Sequence, residues 1–171
     1  MKSTREAYSY ITPDKKVRVA ELRCTIAREV SMGLEVDFRR PSDLVTAFRN
    51  ITATAAWFDP MKECVIVFLF NIRGRFFGYN LVSIGTATQA LLDASEVFRP
   101  ANCYSASGIV VLHNHPSGIS SPGVADIHAT NRLLAASEVL NIKLIDHVIV
   151  GDQIHDEKMN SYLSFREEGL I

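Results

Sequence analysis

The sequence predicts a mixed α/β (α+β) domain, and three observations carry that expectation. Two short apolar runs, 64–70 (CVIVFLF) and 108–112 (GIVVL), are rich in branched and aromatic residues and read as strands buried on both faces. The tetrapeptide Asn71-Ile72-Arg73-Gly74 after the first run has turn chemistry, which makes a hairpin with the stretch that follows. Helix-start signals stand before other segments, so helices and strands alternate along the chain.

Taken in order, residues 1–40 form an N-terminal extension with many charges and no strong periodicity. Within it, Val17 to Val30 fits a strand or a helix equally well. The domain proper is expected over 41–171. Pro41-Ser42-Asp43 opens a helix over Leu44 to Ile51, with Ser42 available as its N-cap. The first buried strand, the turn and a returning strand from Arg75 to Ile84 make the hairpin. Asp93-Ala94-Ser95-Glu96 has the spacing of a capping box, which starts a helix running towards Tyr104. The second buried strand ends at His113. Pro116 to Gly123, dense in proline, glycine and serine, is a loop. A longer helix over Val124 to Leu140 and a strand over Ile142 to Val150 come next. Gly151-Asp152 turns the chain into a short closing strand and Ser164-Phe165-Arg166-Glu167.

Composition narrows the class. With 171 residues, 47% hydrophobic and 22% charged, the chain is ordinary for a globular domain with its own core. A formal net charge of −1 provides no global field for nucleic acid or an anionic membrane. Cys24, Cys64 and Cys103 are far apart and form no CxxC pair, which suits a reducing cytoplasm; Cys64 and Cys103 read as small core hydrophobes. The first residues lack the apolar stretch of a signal peptide, and the longest apolar run, Val65 to Phe70, is far too short to span a bilayer. A soluble cytoplasmic protein without a membrane partner is expected, and its oligomeric state, homo-oligomer included, stays open.

The chemistry concentrates in His113-Asn114-His115-Pro116-Ser117-Gly118 and in Asp126. Residues i and i+2 of a strand share a face, so His113 and His115 aim both imidazoles at one point while Asn114 points the other way. The loop then reverses the chain and returns Asp126 in the first turn of the next helix. Two imidazoles, one carboxylate and a water make the open tetrahedral arrangement of a catalytic zinc ion. Each part also has an ordinary reading: a bare HxH is common, and an acidic residue in a first turn complements the helix dipole. The other histidines compete poorly. His128 is turned away from Asp126 on the helix, His147 within IDHVIV reads as a hydrogen-bonded core histidine, and His155 lies in a polar loop.

HNHPSG, Asp126, DHVIVGD and YLSFREEGLI together resemble the RadC-type branch of the JAB/MPN (JAMM) metallopeptidase superfamily, over about Pro41 to Ile171. The resemblance implies a three-layer αβα, cytidine-deaminase-like fold around a curved mixed sheet with Zn2+ at one edge. It implies that His113, His115 and Asp126 are the metal ligands. It also points to Glu63, in Met61-Lys62-Glu63-Cys64, as the general acid/base; Glu96 is a weaker candidate, already explained as a helix-start residue.

Two departures from the family pattern bear on function. The family carries Ser or Thr three residues before the metal-binding Asp, where its hydroxyl helps hold the reacting oxygen; here that residue is Gly123, which offers only a backbone N–H. Ser120 and Ser121 are the nearby hydroxyls able to substitute for it, and with Ser117 and Gly123 they are the candidates for holding substrate or oxyanion. RadC-type proteins also often carry an N-terminal helix-hairpin-helix; residues 1–40 hold one glycine, Gly33, and no Gly-x-Gly hairpin, so DNA binding gains no support. The leading expectation is zinc-dependent hydrolysis of a peptide or isopeptide bond in a peptide or protein substrate. The alternatives are a catalytically weak or silent JAB/MPN binding module and a DNA-repair accessory protein.

Overall fold

The computed structural model describes residues 36–85, 92–152, 154–156 and 161–171. The stretch Val17 to Val30, Cys24 and nearly all of the N-terminal extension lie outside them. Among the described residues the elements are α1 (Pro41–Thr54), β1 (Cys64–Phe70), β2 (Phe76–Ile84), α2 (Ala94–Cys103), β3 (Gly108–Asn114), α3 (Val124–Leu140), β4 (Lys143–Val150) and β5 (Tyr162–Ser164). The strands form one five-stranded mixed sheet in the order β2-β1-β3-β4-β5. β1 runs antiparallel to β2 and β3, β3 parallel to β4, and β4 antiparallel to β5. The single parallel pair is the one joined through a helix, α3, as a parallel connection requires.

β1 and β3 are buried at every position, which is why they are written as unbroken apolar runs rather than alternating ones. Their odd-numbered residues, Val65, Val67, Leu69, Ile109 and Val111, pack with Val97, Phe98 and Ala101 of α2 and Ala129 and Leu133 of α3. Their even-numbered residues, Ile66, Phe68, Phe70, Val110 and Leu112, pack with Leu44, Phe48 and Ile51 of α1. The fold is therefore three layers, α1 on one face and α2 with α3 on the other, as the family resemblance implies.

Local details differ from the sequence expectations in three places. α1 is longer than Leu44 to Ile51 and is not capped by Ser42. Arg40 is the N-cap and Pro41 sits in the first turn, where its fixed φ fits and its missing N–H costs nothing; the Ser42 carbonyl instead accepts a bond from the Thr46 hydroxyl at 2.8 Å. At α2, Asp93 does cap, accepting from the Ser95 N–H at 2.8 Å, but the Glu96 side chain pairs with Arg99 on the surface. Cys103, at the end of α2, is exposed, whereas Cys64 is buried. α3 ends where Asn141 takes the left-handed conformation at φ 54°, which asparagine tolerates and which turns the chain into β4.

The C-terminal segment is locked by a buried carboxylate. Asp146, fully buried in β4, accepts hydrogen bonds from the Ser164 hydroxyl at 2.6 Å and the Arg166 N–H at 3.0 Å. Arg166 in turn donates to the carbonyls of Phe38 and Arg39, both at 3.1 Å, and so ties the last residues to the chain entering α1. Burial pushes the Asp146 carboxyl above its usual range, against the pull of these donors. No helix among the described residues is long and apolar enough to cross a membrane.

Candidate metal centre

Strand parity assembles the site. His113 follows Ile109 and Val111 on the face of β3 that meets α3, and Glu63 precedes Val65 and Val67 on the same face of the neighbouring strand. His115 lies one step past the end of β3, but its N–H still bonds the Val150 carbonyl at 3.3 Å, so the ladder reaches far enough to keep it in line with His113. Asp126 is the third residue of α3. Its carboxylate Oδ2 accepts from the Gly123 N–H at 2.7 Å, so the helix start holds the side chain in place.

Glu63, His113, His115 and Asp126 bring one ligand atom each into a group within 4.8 Å of one another. The two imidazole Nε2 atoms are 3.1 Å apart. Asp126 Oδ1 is 3.4 Å from His113 Nε2, Asp126 Oδ2 is 3.4 Å from His115 Nε2, and Glu63 Oε1 is 3.6 Å from His113 Nε2. A tetrahedral ion with nitrogen and oxygen ligands at about 2.0–2.2 Å separates those ligands by about 3.3–3.6 Å, so the spacing fits a metal ion. His113 is fully buried, Glu63 and Asp126 are nearly so, and His115 is partly exposed, which leaves the centre an approach from one side.

The electrostatics suit a cation. Burial alone would raise the Asp126 carboxyl, but the His113 and His115 imidazoles beside it and the hydrogen bond from the Gly123 N–H hold it well below the usual carboxylate range, so it is ionised. Burial pulls the His115 imidazole down, yet the Asp126 carboxylate beside it, the Ile119 carbonyl and the Glu63 carboxylate favour its protonated form, outweigh burial and leave it above the usual histidine range. Two carboxylates facing two imidazoles in a mostly buried pocket are where a divalent ion is best balanced.

Residues around the group fix its geometry. The Asn114 side chain, pointing to the opposite face, spans the backbone on both sides of Glu63: its Oδ1 accepts from the Cys64 N–H at 2.9 Å and its Nδ2 donates to the Lys62 carbonyl at 3.0 Å. The Gly85 N–H donates to the Glu63 carbonyl at 2.8 Å, so both peptide units that flank Glu63 are held. Behind His113, its Nδ1 lies 2.9 Å from His147 Nε2, and His147 Nδ1 lies 2.7 Å from the Thr130 hydroxyl. His147 also stacks on Phe165, with ring centroids 4.7 Å apart. Complete burial holds its imidazole well below the usual histidine range.

The profile of the RadC-like JAB domain family matches residues 38–170. The chain belongs to that family. It is similar to the UPF0758 protein of Trichodesmium erythraeum, 36% identical over 135 residues that make up 77% of this chain and 56% of that protein. The UPF0758 protein of Thermotoga maritima is 40% identical over 110 residues, 64% of this chain and 46% of that protein. A UPF0758 protein of Thermosynechococcus vestitus is 31% identical over 167 residues, 92% of this chain and 63% of that protein. The chain thus spans about half to under two thirds of the length of these relatives.

In this RadC-like JAB domain the remaining candidates are dispersed around the centre. Gly123 is the N-cap of α3 with φ −83° and ψ 170°, an ordinary extended conformation, and its N–H is already engaged by Asp126. Ser117 is exposed and its hydroxyl accepts from the Ile119 N–H at 3.3 Å. Ser121 is exposed as well. Ser120 is fully buried; its N–H donates to Asp156 at 3.0 Å and its hydroxyl has no hydrogen-bond partner among the described residues. Gly118, at φ 78°, lets the loop close against Asp152, where any Cβ would collide with that carboxylate. His128 is exposed on α3, and His155 pairs with Asp152 at 2.7 Å, both outside the four-residue group. Sequence reasoning missed Asn114, His147 and Thr130 as builders of the site. Thr130 follows Asp126 by four and so shares its helix face, and an amide between two histidines was the local sign of Asn114.

Replacing Asn114 by aspartate removes the donor to Lys62 and sets a carboxylate oxygen against its carbonyl. Asn114→Asp is expected to lower unfolding free energy by about 1–3 kcal/mol in urea titration. A variant as stable as the wild type would show that the span across Glu63 carries no weight.

Proposed function

We propose that this domain is a zinc-dependent hydrolase whose substrate is a peptide or isopeptide amide. The observation that carries the reading is the convergence of two imidazoles and a carboxylate at tetrahedral spacing, with a second carboxylate, Glu63, beside them. Family membership supports it. His113, His115 and Asp126 would hold the ion, whose Lewis acidity makes water nucleophilic near neutral pH and polarises an amide carbonyl.

The residues have distinct tasks. Glu63 takes a proton from the attacking water and delivers it to the departing amine, so one carboxylate serves as base and then as acid. Its backbone is held on both sides by Asn114, which keeps the carboxylate at the edge of the ligand triangle. Asp126 keeps its charge because the Gly123 N–H donates to it and the His113 and His115 imidazoles stand beside it. The partly exposed side of His115 is the face from which an extended substrate reaches the centre.

Gly123 favours a second reading, a weak or silent JAB/MPN module. The family's hydroxyl is missing there, and the backbone N–H at that position donates to Asp126 Oδ2 at 2.7 Å instead of standing in for it. A donor to the developing oxyanion is worth on the order of 10²–10³ in turnover.

Two substitutions test these assignments. Glu63→Gln should keep the fold and the metal while lowering hydrolysis of a peptide or isopeptide substrate by about 10²–10⁴, because an amide cannot take up the proton at neutral pH. Equal rates for variant and wild type at matched zinc loading would move the role to another group. Gly123→Ser should raise single-turnover rates, by up to about 10²–10³. The backbone there is compatible with serine, and among the described residues a Cβ would meet only Asp126 Oδ2 at 3.4 Å, so the melting temperature should hold. A folded, zinc-loaded serine variant no faster than an active wild type would show that another donor fills the place.

A further inference from the structure

A histidine can offer only one lone pair at a time when neutral, so what each ring's far nitrogen bonds to decides which nitrogen faces a metal. For His115 the answer is local. Its Nδ1 lies 2.8 Å from the Ile119 carbonyl, which can only accept, so the proton sits on Nδ1 and Nε2 presents its lone pair to the centre. His113 is fully buried in β3, and its Nδ1 meets another imidazole, which by itself allows either direction.

The direction is set further back. The Thr130 hydroxyl lies 2.7 Å from the Asp126 backbone carbonyl and 2.7 Å from His147 Nδ1. The carbonyl can only accept, so the single hydroxyl proton goes to it, and the Thr130 oxygen accepts from His147 Nδ1–H. His147, neutral, then carries a lone pair on Nε2 and accepts from His113 Nδ1–H at 2.9 Å. His113 Nε2 is left unprotonated and faces Glu63, His115 and Asp126. Reversing any link would set two acceptors against each other at 2.7 Å in a site closed to water, where an unpaired polar atom costs about 1–3 kcal/mol.

We propose that Thr130 and His147 are positioning residues that fix the ring tautomer of His113, so that its Nε2 lone pair is turned towards the metal centre before any ion arrives. The proposal rests on the reading of His113 as a ligand. It gives a buried residue with no contact to the ion a defined share in metal affinity, and it runs through the backbone of Asp126, a second ligand on the opposite element. Valine at 130 keeps the shape of threonine but removes the relay's last donor and acceptor. His147 then has no fixed direction, and the population with a proton on His113 Nε2 must lose it before binding a cation. Serine at 130 retains the hydroxyl.

The test compares wild type, Thr130→Ser and Thr130→Val. Nitrogen-15 NMR of the histidine rings is recorded on metal-free protein above the histidine titration range, and zinc affinity is measured by competition with a chelator. Wild type and Thr130→Ser should show the His113 proton on Nδ1 alone and similar zinc affinity. Thr130→Val should show mixed tautomers at His113 and bind zinc about 10–100-fold more weakly. A folded Thr130→Val protein with unchanged tautomer and unchanged affinity would overturn the proposal. So would a wild-type His113 protonated on Nε2, a result that needs no variant to fold. If wild type shows the Nδ1 proton but takes up no zinc, the tautomer assignment is supported and the metal reading fails instead.

Discussion

Two imidazole nitrogens stand 3.1 Å apart, each with its own ring proton directed elsewhere, and two carboxylates close around them. Lone pairs at that distance repel, and burying carboxylates beside them compounds the cost unless positive charge lies between. The rest of the structure follows from meeting this constraint. The sheet is deep enough to bury His113 completely, the start of α3 returns Asp126 to the same point, and Asn114 braces the strand that carries Glu63 from the opposite face.

The fold meets it mainly through parity. Antiparallel pairing of β1 with β3 puts Val65 opposite His113, so Glu63 and His113 fall on one face without any special loop. β4, parallel to β3, sets His147 on the same face behind His113, and the crossover between them is α3 itself, which supplies Asp126 and, one turn later, Thr130. A one-residue slip in either pairing would turn the histidines into the α1 layer. Register is secured by the apolar sets on both faces of the sheet and by the Asp146–Arg166 lock, which fastens the closing strand.

Much of this was legible in the chain. The strands at 64–70 and 108–114 and the helix at 124–140 stand where branched apolar runs and breaker residues put them, because those signals are local. The shared direction of His113 and His115 follows from a period of two. Less legible was whatever depends on partners distant in sequence. Asn114 bonds the backbone 50 and 52 residues away, and His113 meets His147 34 residues on, so no local pattern names either partner, although the position of Asn114 between two histidines is itself visible. Ser42 failed as a cap because the chain enters α1 through Pro41, a matter of backbone entry rather than residue preference. Cys103 is exposed because α2 ends at that turn, although its apolar neighbours suggested the core.

The claim on which the account turns is that His113, His115 and Asp126 hold one zinc ion. Anomalous diffraction at the zinc absorption edge, on crystals of the protein grown with zinc present, tests it directly. One strong peak is expected within about 2.0–2.2 Å of both Nε2 atoms and of an Asp126 oxygen. Zinc bound only at other residues, or no peak between these three side chains, would contradict it.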